Sequence, residues 1–474
     1  MITQSSTTEL SYVGTAVVLF AVLLWWIIST LTSPLRPYPG PLFANLDYPE
    51  LIKIIYGTDH RWLKTQFYLN NSSIVDGKIK HNLFSTTSPA EHAQMKKPMA
   101  KYYSSSNVLT MERATKALIW QNDWDYVCTF LASKLDCSLT VSDTWDMIGS
   151  LTFSQPFGYM KKGHDFDGTI IASALSVDYF AQIGQMPFLD WLLNKNPMVR
   201  IGPPDISHVT HFSIAQLQRR LEQQEKHKSS DERDFLDHFI GGMKSNPDSV
   251  DAKLVLNFLL ANVLAGADTT AIALRAIFDF LLQNQHAMTK LKSEILTLGF
   301  NGAEAVPYSR ARSLPYLDAV IRESLRMHPS VAMPLERYVP NTGLTLPDGS
   351  FIPPGVAVGL NPYIIGRNEV VWGEDTHRFR PDRWLKAEDE SEGEYQRRLR
   401  KMNGADLTFG GGSRICIGRH IALIQIYKAV ATLVSRYDIQ LADQNVRMKI
   451  ISGWFPRQTG LFVRMRKRSE MEKL

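Results

Sequence analysis

The chain has 474 residues, of which 44% are hydrophobic and 21% are charged, an ordinary composition for a globular protein that can bury a large core. The net charge of +5 is modest, and no basic run with interleaved aromatic residues points to nucleic acid as a partner. The three cysteines include no CxxC pair, which argues against a zinc site and a disulfide framework and indicates a reducing, cytosol-facing compartment.

Residues 12–31 form a run of twenty residues without a charged side chain, long enough to cross a bilayer as a helix. A cleaved signal peptide is the competing interpretation, but the run is long and is preceded by Glu9 rather than by Lys or Arg. We therefore expect a single N-terminal membrane anchor over residues 1–32, with the rest of the chain on the cytosolic side. Four prolines in residues 33–41 predict a stiff, extended hinge, for which a linker of no special role is the alternative.

The remaining residues, 42–474, are predicted to form one mainly α body with a smaller β part. The pattern from about residue 50 to 298 is mostly helical, and the texture changes after residue 342. Residues 343–356 are typical of a hairpin, with Asp348 and Gly349 at its turn.

The hexapeptide Ala-Gly-Ala-Asp-Thr-Thr at residues 265–270 lies in the middle of a long apolar helical pattern, roughly residues 250–283. Glycine in a helix interior costs about 1 kcal/mol relative to alanine. Threonine hydroxyls compete for the carbonyl four residues earlier and bend a helix. Such a local weakness is expected where function overrides stability. A kinked core helix without a catalytic role is the alternative.

Glu323 and Arg326 stand three residues apart in a helical pattern that ends before Pro329. That spacing puts a carboxylate and a guanidinium on one helix face, where an exposed pair contributes only about 0.2–0.5 kcal/mol. The later segment Phe-Arg-Pro-Asp-Arg-Trp, at residues 379–384, supplies Arg383 as a further partner.

Cys416 lies in the segment Phe-Gly-Gly-Gly-Ser-Arg-Ile-Cys-Ile-Gly, residues 409–418, directly before an apolar helical run. A thiolate that ligates a metal needs backbone N–H groups turned toward its sulfur, and glycines allow the tight turns that achieve this. The positive end of the following helix also stabilises the anion. A buried cysteine beside a glycine turn is the alternative.

These motifs together resemble those of the cytochrome P-450 monooxygenases. Residues 409–418 resemble the haem-binding loop, residues 265–270 the central-helix motif, and Glu323, Arg326 and Arg383 the buried triad that supports the loop. Trp384 stands where phenylalanine is commoner. Residues 314–323 and 366–373 are similar to fungal secondary-metabolism members, close to the pisatin demethylase type.

The resemblance covers nearly the whole chain and implies a cytochrome P-450 fold, with a long central helix over haem b and Cys416 as the axial ligand. It implies that Asp268 delivers protons, that Thr269 hydrogen-bonds dioxygen or its water, and that Gly266 leaves room beside the iron. The residues implied to hold the cofactor also include Phe409, Gly418, Arg414, His92, Lys96 and Arg337. The last three have solvated surface residues as their alternative. Implied pocket residues are Phe84, Ala261, Val331, Ala332 and Phe455.

The implied activity is oxidation of a lipophilic small molecule with O2 and electrons from NADPH. The electrons would come through a cytochrome P-450 reductase, with cytochrome b5 as an optional second donor, at the endoplasmic reticulum membrane. The basic residues implied to dock the reductase are Lys96, Lys97, Lys101, Arg414, Arg419 and Lys428. A thiolate-haem isomerase or dehydratase and a non-catalytic haem-binding isoform are the rival interpretations.

The chain departs from the family in one region. Only fifty residues separate Pro41 from His92, and the first helix and a pair of strands that the family carries there are expected to be missing. Their loss would expose a sheet edge. A natural trimming and an altered transcript or mispredicted exon both account for such a gap.

Overall fold

The computed structural model describes residues 20–21, 24, 44–59, 61–75, 77–115, 138–196, 201–204, 206–222, 233–299, 305–445 and 447–468. The predicted hinge lies outside these residues, as do Cys128 and Cys137. Of the predicted anchor, only Phe20, Ala21 and Leu24 are described, all in helical conformation. The mainly α architecture with small sheets agrees with the fold class predicted from the sequence.

The helices of the described residues are α1 (Ile52–Ile55), α2 (Pro89–Met99), α3 (Ser105–Thr115), α4 (Ser138–Phe153), α5 (Tyr159–Lys162), α6 (Thr169–Ile183), α7 (Pro187–Asp190), α8 (Ser207–Glu222), α9 (Phe235–Ser245), α10 (Ala252–Gln283), α11 (Gln285–Leu296), α12 (Tyr308–Arg312), α13 (Pro315–Met327), α14 (Pro362–Ile365), α15 (Glu369–Trp372), α16 (Glu392–Ala405) and α17 (Arg419–Arg436). Short 3₁₀ turns lie at Pro49–Leu51, Gln66–Asn71, Ala100–Tyr103, Pro381–Trp384 and Gly412–Arg414, and a short π-helix lies at Trp191–Lys195.

The strands are β1 (Ala44–Leu46), β2 (Ser73–Val75), β3 (Lys78–Lys80), β4 (Arg337–Tyr338), β5 (Leu344–Thr345), β6 (Phe351–Ile352), β7 (Ala357–Leu360), β8 (Tyr437–Leu441), β9 (Lys449–Ile451), β10 (Arg457–Thr459) and β11 (Val463–Lys467). The largest sheet has the order β1-β7-β4, with β1 parallel and β4 antiparallel to β7. The pairs β2–β3, β5–β6, β9–β10 and β8–β11 are antiparallel. The predicted hairpin is confirmed, because β5 and β6 flank Asp348 and Gly349.

Helix α10 is the central element of the fold. Its start is fixed by Asp251, whose carboxylate accepts a hydrogen bond from the N–H of Leu254 (2.7 Å). It then runs for 32 residues, and most of its side chains from Ala267 to Leu282 are buried. Among the described residues it is the helix long and apolar enough to cross a membrane, but its burial makes it a core helix.

Two large apolar clusters share α10. Its first half packs with α4, α8 and α9, around the fully buried Trp145 and Phe239. Its second half packs with α11, α13 and α17. A third cluster joins the β1-β7-β4 sheet to Trp384 and to residues 402–407, which lead into the Cys416 loop. The loop is therefore supported from both sides by packed core.

Candidate active site

Cys416 lies between the 3₁₀ turn at Gly412–Arg414 and the start of α17. Its N–H donates a hydrogen bond to the carbonyl oxygen of Phe409 (2.9 Å), so Phe409 contributes to the loop through its backbone. The Cys416 side chain is exposed, although protein atoms lie close enough around the sulfur to disfavour its charge.

The surroundings of the sulfur act on its charge in opposite directions. Burial raises the pKa of the Cys416 thiol. The backbone N–H groups of Gly418 and Arg419 near the sulfur lower the pKa, as do the charges of Arg419 and Lys96. These N–H groups belong to the first turn of α17, where the helix dipole is positive. A buried thiol with such donors suits a thiolate bound to a metal cation, because the cation removes the cost of burying the anion.

Tyr103 connects the Cys416 loop to helix α10. Its hydroxyl donates to Oδ1 of Asn262 (2.5 Å), and burial together with the charge of Cys416 raises its pKa well above the ordinary value. Ile417, the residue after the cysteine, packs on the same core cluster as Val263. Helix α10 therefore passes beside the loop.

Ala265 is exposed on α10, although Val263 and Ala267 on either side are fully buried. The hydroxyl of Thr269, one helical turn later, donates to the carbonyl oxygen of Ala265 (2.7 Å). Ser330 in turn donates to the carbonyl oxygen of Thr269 (2.8 Å). The sequence interpretation gave Ala265 no role of its own, although this residue opens the hexapeptide at residues 265–270.

Gly266 lies against helix α4. A Cβ atom on Gly266 would lie 3.2 Å from Cδ1 of Ile148 on α4. The small residue therefore permits α4 and α10 to approach closely, and its predicted role beside the iron stays a prediction.

Asp268 is buried and directed toward α4 and α6. Its Oδ1 accepts a hydrogen bond from Nε1 of Trp145 (3.0 Å), and its Oδ2 accepts one from the hydroxyl of Ser173 (2.9 Å). Burial raises the pKa of Asp268, while these two hydrogen bonds lower it. Asp268 and Thr269 are thus neighbours in sequence whose side chains have different partners.

A cluster of cations lies beside the Cys416 loop. Arg414 donates to the carbonyl oxygens of Thr86 (3.0 Å) and Ser88 (3.2 Å). Arg337 is buried and donates to the carbonyl oxygen of Glu336 (2.7 Å).

The two predicted cations of α2 also reach this region. Lys96 donates to the carbonyl oxygen of Ser413 in the loop (3.0 Å), and burial lowers its pKa, followed by the charge of Arg414. His92 is buried on the same helix. Neither is a freely solvated surface residue.

Lys64 is a member of this cluster that the sequence interpretation missed. It forms a β-bridge with Arg337, is buried, and donates from Nζ to the carbonyl oxygen of Phe84 (2.5 Å). Its Nζ lies 3.8 Å from the ring centre of Tyr68. The signal that could have drawn attention to Lys64 is its position between two pairs of large apolar residues, Trp62-Leu63 and Phe67-Tyr68.

The positive charges of Lys64, Arg337 and Arg414 can be compared with the two negative charges of a haem. Lys64, Arg337 and Arg414 line one cleft together with Tyr56 and Trp62. Burial and repulsion by Arg337 lower the pKa of Arg414 to about 10 and hold the pKa of Lys64 well below its usual range. Three cations that repel one another in a partly buried cleft match the two carboxylates of a haem, so the residues fit the group.

Glu323, Arg326 and Arg383 are brought together in the interior. Arg326 donates to both carboxylate oxygens of Glu323 (2.9 and 2.8 Å), and Nε of Arg383 donates to Oε1 (3.2 Å). Nε1 of Trp384 donates to the remaining side of Oε2 (3.0 Å). This bond gives a physical reason for tryptophan where phenylalanine is commoner. Arg326 also donates to the carbonyl oxygens of Gly366 and Thr376, so the cluster fixes the segment that precedes the Cys416 loop.

An aromatic group lies near the predicted pocket residues. Phe455 is buried with Phe67, Phe180 and Trp454, and Val331 packs against them. The Phe84 ring is 5.7 Å from those of Phe180 and Trp454. Ala332 is tied to this group by its N–H, which donates to the carbonyl oxygen of Trp454 (3.3 Å). Ala261, on α10, is half-buried.

The residues of the predicted basic docking face differ in their exposure, and one of them needs a correction. Lys97 and Lys101 are exposed, and Arg419 is half-buried. Lys428, however, is 3% exposed and pairs with the carboxylate of Glu112 at 2.9 Å. Lys428 cannot contact a protein partner, because it lies on the buried side of α17 and faces α3.

Comparisons with known proteins agree with this geometry. Residues 133–463 match the sequence model of the family described as Cytochrome P-450. The cytochrome P-450 monooxygenase cfoH of Aspergillus candidus is 39% identical over 506 aligned residues, which cover 96% of this chain and 92% of the relative. The cytochrome P-450 monooxygenases cicH and pkfB of Emericella nidulans are each 32% identical and cover 92% and 91% of this chain, and 86% and 84% of their own lengths.

Proposed function

Because this chain belongs to the cytochrome P-450 family and is a monooxygenase, we propose that it binds haem b through Cys416 and oxidises a lipophilic small molecule in fungal secondary metabolism. The observation that carries the proposal is the position of Cys416 directly before α17, in a loop whose Arg414 lines one cleft with Arg337 and Lys64. Similarity to fungal monooxygenases over most of the chain supports the reaction class. We extend the proposal to the pisatin demethylase type, on the sequence phrases at residues 314–323 and 366–373.

The chain supplies the surroundings in which the cofactor works. Bound haem supplies oxygen activation and the oxidation of a C–H bond in the substrate. Cys416 would provide the axial thiolate, and Arg414, Arg337, Lys96, His92 and Lys64 would hold the propionates. Phe409 and Gly418 would shape the loop around the sulfur.

Two residues of α10, Asp268 and Thr269, would deliver protons on the substrate side of the haem. The Thr269 hydroxyl is held at the carbonyl oxygen of the exposed Ala265. Asp268 would hold a proton at its carboxyl group and pass it toward Thr269. Phe84, Ala261, Val331, Ala332 and Phe455 would contact the substrate. Retention of the acid and the alcohol favours an oxygenase over a thiolate-haem isomerase or dehydratase.

The test is the reduced carbon-monoxide difference spectrum of the purified protein. The wild type is expected to show the Soret maximum of a thiolate-ligated haem, and Cys416→Ser is expected to lose it. Cys137→Ser is the matched control and should keep the wild-type spectrum. NADPH-dependent oxygen uptake with a fungal reductase then tests the reaction. A normal spectrum without oxygen uptake would show that the proposed oxidation does not occur. A thiolate-haem isomerase or a non-catalytic haem-binding isoform would then be the better interpretation.

We also propose that residues 1–32 anchor the protein in the endoplasmic reticulum membrane, that residues 33–41 form the hinge, and that residues 42–474 form the catalytic domain. The uncharged run of twenty residues supports the anchor. Lys97, Lys101 and Arg419 would receive the reductase, with cytochrome b5 as a second donor. Alkaline extraction of membranes should leave the full chain in the pellet and release a chain that begins at residue 33.

The shortness of the region between Pro41 and His92 is part of the proposal. The alignment with cfoH is 506 residues long, more than the 474 of this chain, so it contains gaps opposite residues of the relative. Strand β1 lies at the edge of its sheet among the described strands, where further strands could pair. We propose that a first helix and a strand pair are missing there, and sequencing of the transcript would distinguish a trimmed protein from a mispredicted exon.

A further inference from the structure

The carboxyl group of Asp268 is held at both oxygens by donors from two different helices. Trp145 on α4 donates to Oδ1 (3.0 Å), and Ser173 on α6 donates to Oδ2 (2.9 Å). Their side chains are 0% and 3% exposed, and that of Asp268 is 8% exposed. Three helices therefore meet at one buried carboxyl group.

Both donors are neutral, so no ion pair fixes the charge of this carboxyl. The described charged groups that act on it are Arg275 of its own helix and Arg457 of β10. Arg457 is paired with Asp178 of α6. On α4, the carboxylate of Asp146 accepts hydrogen bonds from the backbone N–H groups of residues 158–160.

Burial consequently outweighs the polar contacts, and the pKa of Asp268 is raised. The two hydrogen bonds act in the opposite direction, because a neutral N–H and O–H stabilise the carboxylate more than the acid. Their strength thus sets how readily the group releases its proton.

The arrangement also separates the acid from the alcohol beside it. Successive residues of a helix point about 100° apart, and the Thr269 hydroxyl is bound to Ala265 rather than to Asp268. For the acid to serve the Thr269 side of α10, its carboxyl must leave Trp145 or Ser173.

We propose that Trp145 and Ser173 are positioning residues that hold the carboxyl of Asp268 in a buried resting place and govern its release of a proton toward Thr269. This inference rests on the proposed function of Asp268. One proton leaves the carboxyl and one returns from water, so the group is unchanged after each cycle. A purely structural tie between α4, α6 and α10 is the competing account.

Ser173→Ala and Trp145→Phe first test whether the two donors set the titration of Asp268, and the pH dependence of turnover then separates the two accounts. The measurement is infrared difference spectroscopy of the haem-loaded protein across pH, with Asp268→Asn identifying the carboxyl band. Loss of either donor removes a contact that favours the carboxylate, so the Asp268 band should titrate at higher pH in each variant. It should titrate at the highest pH in the double variant. Ser173→Thr keeps the hydroxyl and should titrate close to the wild type.

The pH dependence of the turnover rate is a second measurement, and it should shift to higher pH like the Asp268 band. If protonated Asp268 is the proton donor, the rate falls as pH rises through its pKa, and this alkaline limb should move to higher pH in Ser173→Ala and Trp145→Phe. A structural tie alone would lower stability and haem content and shift the band but leave the alkaline limb of turnover in place, which would overturn the inference. If Asp268→Asn keeps full turnover and the same alkaline limb of the pH profile, Asp268 is not the proton donor and that part of the proposed function is wrong. The carbon-monoxide spectrum tests the role of Cys416 separately.

Discussion

A Cβ atom added to Gly412 would lie 1.6 Å from the carbonyl oxygen of Tyr56, a separation that no side chain can occupy. Gly412 also has a φ of +59°, in the left-handed region that L-residues disfavour. The backbone of the Cys416 loop therefore rests directly on the backbone at the end of α1. Glycine is required there for contact as well as for conformation.

Gly412→Ala is expected to abolish haem incorporation, because the loop must move away from Tyr56. Gly410→Ala is the matched control, since its φ is +70° but the atoms nearest to its Cβ would be 3.9 Å away. That variant bears mainly the conformational cost of about 1–2 kcal/mol. Haem content after purification and urea unfolding of both variants provide the measurement, and equal losses would contradict the argument.

The sequence predicted those features that depend on local spacing. Helix α10 and the turn at Asp348 and Gly349 follow from periodicity and turn chemistry alone. The assignment of Cys416 as a thiolate ligand stays a prediction from the motif at residues 409–418, in which three glycines and a cysteine directly precede an apolar helix.

Features that depend on contacts between distant residues could not be predicted. Lys64 meets Arg337 through a β-bridge across more than two hundred residues, which no periodicity reveals. The burial of Lys428 depends on Glu112, and the direction of Gly266 depends on Ile148. In each case the partner belongs to another element, and only the packing of the elements decides which face of the helix is buried.

Arg326→Lys is expected to lower the free energy of unfolding by on the order of 3 kcal/mol or more and to weaken haem retention. Lysine cannot reproduce the paired bonds to Glu323 or the additional bonds to Gly366 and Thr376. Arg61→Lys is the control, because the pair of Arg61 with Asp59 is exposed and contributes about 0–1 kcal/mol. Chemical denaturation measures both, and a similar loss in the two variants would show that the buried cluster is dispensable.

Lys64→Met should have opposite effects on the haem-loaded and the haem-free protein. If Lys64 binds a propionate, the variant will release haem to apomyoglobin faster than the wild type. The haem-free variant should be no less stable in urea, because a buried cation repelled by Arg337 and Arg414 has been removed. Lys101→Met, at an exposed lysine, should leave haem release unchanged. Unchanged release in Lys64→Met would remove Lys64 from the cofactor site.

His328 predicts a loss of stability in mild acid. Burial lowers its pKa from 6.5 to about 4, and its neutral ring lies 3.1 Å from the carbonyl oxygen of Pro456 through Nε2. Between these two values the unfolded chain binds a proton that the folded protein does not, so the stability contributed by His328 is present above pH 6.5 and declines as the pH falls to about 4. One proton over that window corresponds to roughly 3 kcal/mol.

His328→Gln keeps an N–H donor for Pro456 but cannot titrate, so it should lose less stability than the wild type over the same window. His286→Gln, at an exposed histidine, should follow the wild type. Urea unfolding at a series of pH values gives the difference between each variant and the wild type. The difference in the free energy of unfolding between His328→Gln and the wild type should therefore change with pH. If it is the same at every pH, the buried ring of His328 is not the group that takes up the proton on unfolding.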